Sequence, residues 1–115
     1  MGKGHTKIPN YILDTLTHIK LSGSEWNVLM LIIRKTLGWH KNDDWISLTQ
    51  FVRICGIDKS SVRRALQTLE ERKIVCKSAH SRKGSKYELN KNCEEWTTQK
   101  NDKNQEIVGK IALRW

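Results

Sequence analysis

Cysteine is scarce in this chain and poorly spaced for chemistry: Cys55, Cys76 and Cys93 are its three in 115 residues. An odd number at wide intervals makes neither a disulfide framework nor a C-x-x-C metal pair. The histidines His5, His18, His40 and His80 are as scattered, and no local spacing brings four zinc ligands together. Reduced cysteines, no metal site and a cytoplasmic setting are the reading that follows. Long apolar runs are missing too. The longest, Val28 to Ile33, falls far short of the ~20 residues that span a bilayer. Met1 to Lys7 is polar and basic rather than a charged-then-apolar signal segment. Catalytic patterns are likewise absent: no Ser/His/Asp or Cys/His arrangement, no acids at paired spacing, no G-x-x-x-x-G-K-S/T phosphate loop. The chain reads as a non-enzyme that needs no cofactor and does not hydrolyse ATP.

Acids are the other shortage. Twelve Asp and Glu face 21 Lys and Arg, which leaves a formal charge of +9. With 37% hydrophobic residues the chain can build one core of ordinary domain size, and hardly two. A cation surplus on a small domain concerns its partners: nucleic acid, an acidic protein or an anionic membrane surface. The position of the charges decides among them.

Ile8-Pro9-Asn10 reads as an extended approach to a helix capped by Asn10 and running over about residues 11–18. Ser22 and Glu25 spell a capping box. Behind them Trp26, Leu29, Met30, Ile33 and Leu37 form the stripe of a central, buried helix that Gly38 closes. Trp45-Ile46 hints at a strand. Ser47 and Gln50 make a second capping box, opening a helix with Leu48, Phe51, Val52 and Cys55 on its apolar side. Gly56 ends it, and Asp58 caps a third helix that reaches about Arg72. Helix, short glycine turn, helix is the helix-turn-helix arrangement. Ile74 to Lys77 and Lys86 to Leu89 then read as antiparallel strands around a basic tip, Ser78 to Ser85. The expected fold is mostly α with a small antiparallel β-ribbon, a winged helix-turn-helix over residues 1–89. Residues 90–115 read as a polar tail with a mildly apolar end.

The third helix carries the most information. Val62, Ala65, Leu66 and Leu69 share one side, while Ser60, Arg63, Arg64 and Gln67 fall opposite. Between Lys59 and Lys86 stand nine basic residues and two acids, Glu70 and Glu71, so +7 of the chain's +9 falls in this quarter. On a winged helix those residues occupy the recognition helix and the wing, the elements that meet a duplex. Clustered cations neutralise phosphates. Arg63, Arg64 and Gln67 suit base edges, Arg for guanine and Gln for adenine. Lys59, Ser60 and Ser61 stand at the helix start. His80, Arg82, Lys83 and Lys86 belong to the wing, where Gly84 lets the hairpin turn tightly.

Each feature also has an ordinary reading. Arg and Gln line the outward face of many surface helices, and Ser60 and Ser61 serve equally as extra groups at a helix N-terminus. Five tryptophans invite base stacking, yet Trp26 and Trp45 read as core. Trp39 reads as half exposed and Trp115 as terminal. Trp96 is the one large apolar residue from Asn90 to Gln105.

Three stretches together resemble a known family: Thr6 to Asn10, Leu21 to Glu25, and Ile32-Ile33-Arg34-Lys35-Thr36-Leu37-Gly38-Trp39-His40-Lys41. The likeness continues through Asp44 to Ser47 and from Ser61 to Glu70. It is to the amino-terminal domain of the lambda-type phage replication protein O family. The resemblance implies a winged helix that binds repeated sites in a phage or prophage replication origin within the bacterial cell, as a homodimer. It also implies a carboxy-terminal region that recruits a host replication protein, for which little chain remains after Leu89. Two other functions stay open on the residues alone. One is a phage transcriptional repressor, and the other a small protein-binding inhibitor, for example of a host defence complex.

Overall fold

In the computed structural model, residues 4–97 are described. Helix α1 spans Asn10–Leu16 and α2 spans Gly23–Thr36. Strand β1 is Asp43–Ile46, followed by α3 (Leu48–Cys55) and α4 (Lys59–Glu71). Strands β2 (Val75–Ser81) and β3 (Gly84–Leu89) follow, and a 3-10 turn at Cys93–Glu95 comes after them among the described residues. The result is a mixed α/β body of four α-helices and a three-stranded antiparallel sheet of order β1-β3-β2.

Local chemistry sets most helix ends. At α2 the Glu25 amide donates to Ser22 Oγ at 3.2 Å while the Ser22 amide donates to Glu25 Oε1 at 3.0 Å. The same reciprocal pair joins Ser47 and Gln50 at α3, at 3.1 and 2.9 Å. Both capping boxes stand where the residues place them. At α1, Pro9 occupies the cap position and Asn10 is already helical, so Asn10 caps nothing. That helix stops at Leu16, where the Thr17 amide shares the carbonyls of Leu13 and Asp14 and tightens the turn. At the end of α2 the chain passes into a short 3-10 turn, Leu37–Trp39, and His40 rather than Gly38 takes the left-handed conformation, φ 57°. Gly56, at φ 70°, ends α3 as expected.

The core gathers Ile12, Leu29, Ile32, Ile46, Phe51, Val62, Leu69, Ile74 and Leu89. The burial of one methionine and three tryptophans departs from expectation. Met30 and Trp45 sit at the surface, 42% and 43% exposed, and Trp26 is half-buried against the core. Trp96 is fully buried and donates its indole N–H to the Asn90 carbonyl at 2.7 Å. Cys93 is buried beside it. The packed body therefore continues past residue 89, where the sequence reading ended the domain. Trp115 and the apolar end of the tail lie outside the described residues. Among the described residues no helix is long and apolar enough to cross a membrane.

The hint of a strand at Trp45-Ile46 becomes a four-residue β1 that pairs along β3, from Asp43 opposite Glu88 to Ile46 opposite Ser85. Strands β2 and β3 run almost to each other, leaving Arg82 and Lys83 as the tip. Their register shifts between Lys77 and Ala79.

Candidate nucleic-acid interface

Helix α4 is two-sided. Val62, Ala65, Leu66 and Leu69 are buried, whereas Lys59, Ser60, Arg63, Arg64 and Gln67 are exposed. Its start is held by Asp58, which accepts from the Ser61 amide at 3.1 Å and the Ser61 hydroxyl at 2.7 Å. Those bonds, the hydroxyl's first, keep the Asp58 carboxyl below its usual range, with a smaller contribution from Arg64. Ser61 is thus engaged in the cap. Gln67 Nε2 donates to Glu71 Oε1 at 3.2 Å. Near the far end, burial pushes Glu70 up from the carboxylate range, and Lys77 offsets part of that rise.

A cleft of about 540 Å³ opens between this helix and the β2–β3 hairpin. Helix α4 supplies Lys59 and Arg63, the hairpin supplies Lys77, His80, Arg82 and Lys83, and Ser47 and Thr49 close one end from the start of α3. No acidic residue lines it. Strand pairing explains the convergence. Lys77 stands opposite Tyr87 and His80 opposite Ser85. Successive side chains alternate between faces, and Ser85, Tyr87 and Leu89 all turn to the buried side. His80 Nδ1 lies 2.7 Å from the Ser85 hydroxyl, itself only 5% exposed, so the ring is held from beneath. Tyr87 is anchored in turn by an edge-to-face contact with Phe51, ring centres 5.7 Å apart. Burial raises the Tyr87 phenol's pKa, and its interaction with Ser85 offsets part of that.

Gly84 follows the hairpin turn with a positive φ, as expected, and serves a second purpose as well. The turn itself is made by Arg82 and Lys83, with the Lys83 amide donating to Ser81 Oγ at 3.2 Å. Gly84 has φ +137°, and a Cβ there would come within 2.7 Å of the Ile46 carbonyl oxygen. It lets the tip end of β3 lie against the junction of β1 and α3.

Of the ten residues singled out from sequence, Lys59, Arg63, His80, Arg82 and Lys83 are brought together in this cleft. Ser60 and Gln67 are exposed on α4 without lining it. Arg64 and Ser61 line a smaller hollow of about 300 Å³ that faces Ser22, Ser24 and Glu25 at the start of α2. Lys86 is set apart. It alternates to the outer face of the sheet, pairs with Asp43 at 3.5 Å and lies 5.9 Å from the centre of the Trp45 ring. Lys77 and Thr49 were not singled out. Lys77 had a signal in the charge run, but its face follows from a register that sequence periodicity does not supply.

The chain matches the bacteriophage replication protein O family over residues 1–96. It is 35% identical over 75 residues to "Replication protein 15" of Enterobacteria phage phi80, covering 65% of this chain and 25% of that one. It is 27% identical over 101 residues to "DNA replication protein gp18" of Salmonella phage P22, covering 88% of this chain and 35% of the relative. To "Replication protein O" of Escherichia phage lambda it is 27% identical over 102 residues, covering 89% and 29%. The chain spans between a quarter and about a third of the length of these curated relatives. No solved structure matches it significantly. The matched region ends on Trp96, the buried indole that completes the described core, and the chain belongs to the bacteriophage replication protein O family.

Proposed function

We propose that the described body is a winged helix that binds double-stranded DNA sequence-specifically, at the replication origin of a phage or prophage. The element order supports the fold reading: helix α2, strand β1, two helices across a glycine turn, then a hairpin whose second strand pairs back onto β1. The observation that carries the DNA reading is the cleft, where Lys59, Arg63, Lys77, His80, Arg82 and Lys83 converge without an acid. Such a surface neutralises phosphates and binds with a steep salt dependence. Arg63 and Gln67, exposed along α4, offer forked and bidentate donors to base edges. Arg64, on the flank toward α2, takes a neighbouring backbone position. Family membership, and the replication names its relatives carry, support origin recognition as the purpose. Binding as a homodimer and contact with a host replication protein in the bacterial cytoplasm belong to the same proposal.

Selection of bound oligonucleotides from a random pool, repeated with the DNA around the gene, tests it. Repeated sites inside or beside the gene support origin recognition. A site over a promoter replaces it with repression. No enrichment, and no complex at ~100 μM protein and physiological salt, overturns DNA binding in favour of a protein partner.

A further inference from the structure

The outer side of β1 and the turn that leaves α2 carry two exposed tryptophans. Trp39 is 61% exposed and Trp45 is 43% exposed. Trp39 lies in the turn that leaves α2, and Trp45 points outward from β1 opposite Lys86. Each ring has a cation over it: the Arg34 guanidinium 5.6 Å from the Trp39 centroid, and Lys86 Nζ 5.9 Å from that of Trp45.

The segment between the two rings is drawn together by short-range bonds. The Lys41 amide donates to the Thr36 carbonyl at 2.9 Å. Asp44 pairs with Lys35 at 3.5 Å and Lys41 at 3.7 Å. Lys91 Nζ donates to Asn42 Oδ1 at 2.8 Å. A hollow of about 460 Å³ opens beside Trp45, lined by residues 41–45 and Lys86. Arg34 and Lys86 thus stand over the two exposed indoles, and Lys41 lines the hollow beside Trp45. The acids Asp43 and Asp44 are already engaged by Lys35, Lys41 and Lys86, and Glu88 stands opposite Asp43.

We propose that this face binds single-stranded nucleic acid, with unpaired bases stacking on Trp39 and Trp45 and phosphates following the flanking cations. Exposed aromatic rings interleaved with basic side chains are how unpaired strands are held without sequence readout. A paired base has both faces covered by its neighbours, so a duplex offers these rings nothing to stack on. A partner rich in acidic peptide would meet the cations but leave the indoles uncovered. Lys86 and Trp45 face away from the side of the sheet that carries Ser85 and Tyr87 toward α4. Duplex and single strand can therefore be held at the same time, and this site does not depend on the duplex reading.

The test uses the full chain with a labelled oligothymidylate and, separately, a labelled duplex, both read by fluorescence anisotropy. The wild type should bind the single strand and quench tryptophan emission. Trp39→Ala and Trp45→Ala should each weaken single-strand binding about tenfold and leave duplex binding unchanged. Arg63→Ala should do the reverse. Urea midpoints check that each variant is folded, and if Trp45→Ala unfolds, the more exposed Trp39→Ala with Arg34→Ala carries the test. Absence of oligothymidylate binding overturns the proposal. So do tryptophan variants that bind like the wild type, or an Arg63→Ala variant that loses both ligands equally. A protein captured through these rings while the oligonucleotide is ignored overturns it as well.

Discussion

The Nη1 atom of Arg72 donates to the Lys20 carbonyl at 2.8 Å, tying the end of α4 to the loop that precedes α2. Through Nε the same guanidinium donates to the Thr97 carbonyl at 3.0 Å, and the Thr97 amide returns a 3.0 Å bond to the Arg72 carbonyl. Three distant segments meet on a residue only 3% exposed. Burial pulls the pKa of Arg72 down, and nearby Glu25 offsets part of that. Nη2 finds no hydrogen-bond partner among the described residues. The other two bonds therefore offset both the desolvation and one idle donor.

Replacing Arg72 tests how much the clamp contributes. Arg72→Met keeps the length of the stem but leaves the Lys20 and Thr97 carbonyls without their donor. Stability should fall by about 2–3 kcal/mol, from bonds to a charged group. Arg72→Lys should recover less than half, because a point charge cannot reproduce the fork. An unchanged urea midpoint for Arg72→Met would show that the clamp stabilises nothing.

Lys73 is the opposite case, a position where the native residue costs stability. It sits at φ 61° just past α4, its amide donating to the Glu70 carbonyl and that of Ile74 to Leu69, each at 3.0 Å. This is the bond pattern in which glycine is usual. Lys73→Gly should raise stability by about 0.5–1 kcal/mol, the relief of a left-handed side chain less the added chain entropy. Thermal unfolding reads it; a lower midpoint refutes it.

Acid should loosen α4 through Asp58. Its carboxyl is held below the ordinary 3.8 by the Ser61 hydroxyl and amide. A folded pKa below the unfolded one adds stability above the unfolded value, and this is lost as pH falls through the folded one. Asp58→Asn keeps an oxygen at the cap but cannot titrate. Its stability should therefore vary less with pH below about 3.8 than the wild type's does. Superimposable urea midpoints across that range would remove Asp58 from the acid response.

Arg63 and Lys83 should separate base reading from phosphate contact. Arg63→Ala should cost about 1–3 kcal/mol on the selected site and relax its sequence preference. Lys83→Ala, at the hairpin tip, should weaken all sequences alike and reduce the salt slope by about 1. Equal losses of Arg63→Ala on selected and random duplexes would make Arg63 a phosphate contact only.

What was legible in the sequence was what chemistry settles within a few residues. Ser22 with Glu25, Ser47 with Gln50, Asp58 and Gly56 each act on their own helix end, and each stands where its type and spacing put it. The buried side of α4 followed from periodicity for the same reason. Trp45 and Trp96 were exchanged in the reading, Trp45 given to the core and Trp96 to a polar tail. Their burial is decided by strands and loops far away along the chain, and apolar type alone does not report it. Lys86 shows the limit most clearly. It belongs to the basic run by position, but a single step along β3 turns it from the cleft that takes Lys77 and His80 to the opposite face.

Gly84 and its two predecessors lie side by side yet leave very different room for change. Any side chain at position 84 runs into the backbone of Ile46, whereas Arg82 and Lys83 are exposed at the tip. Substitutions can change the charge of the tip one residue at a time and leave the hairpin's contact with the start of α3 intact. Room for substitution at this end of the hairpin is thereby confined to Arg82 and Lys83, while position 84 is restricted to glycine.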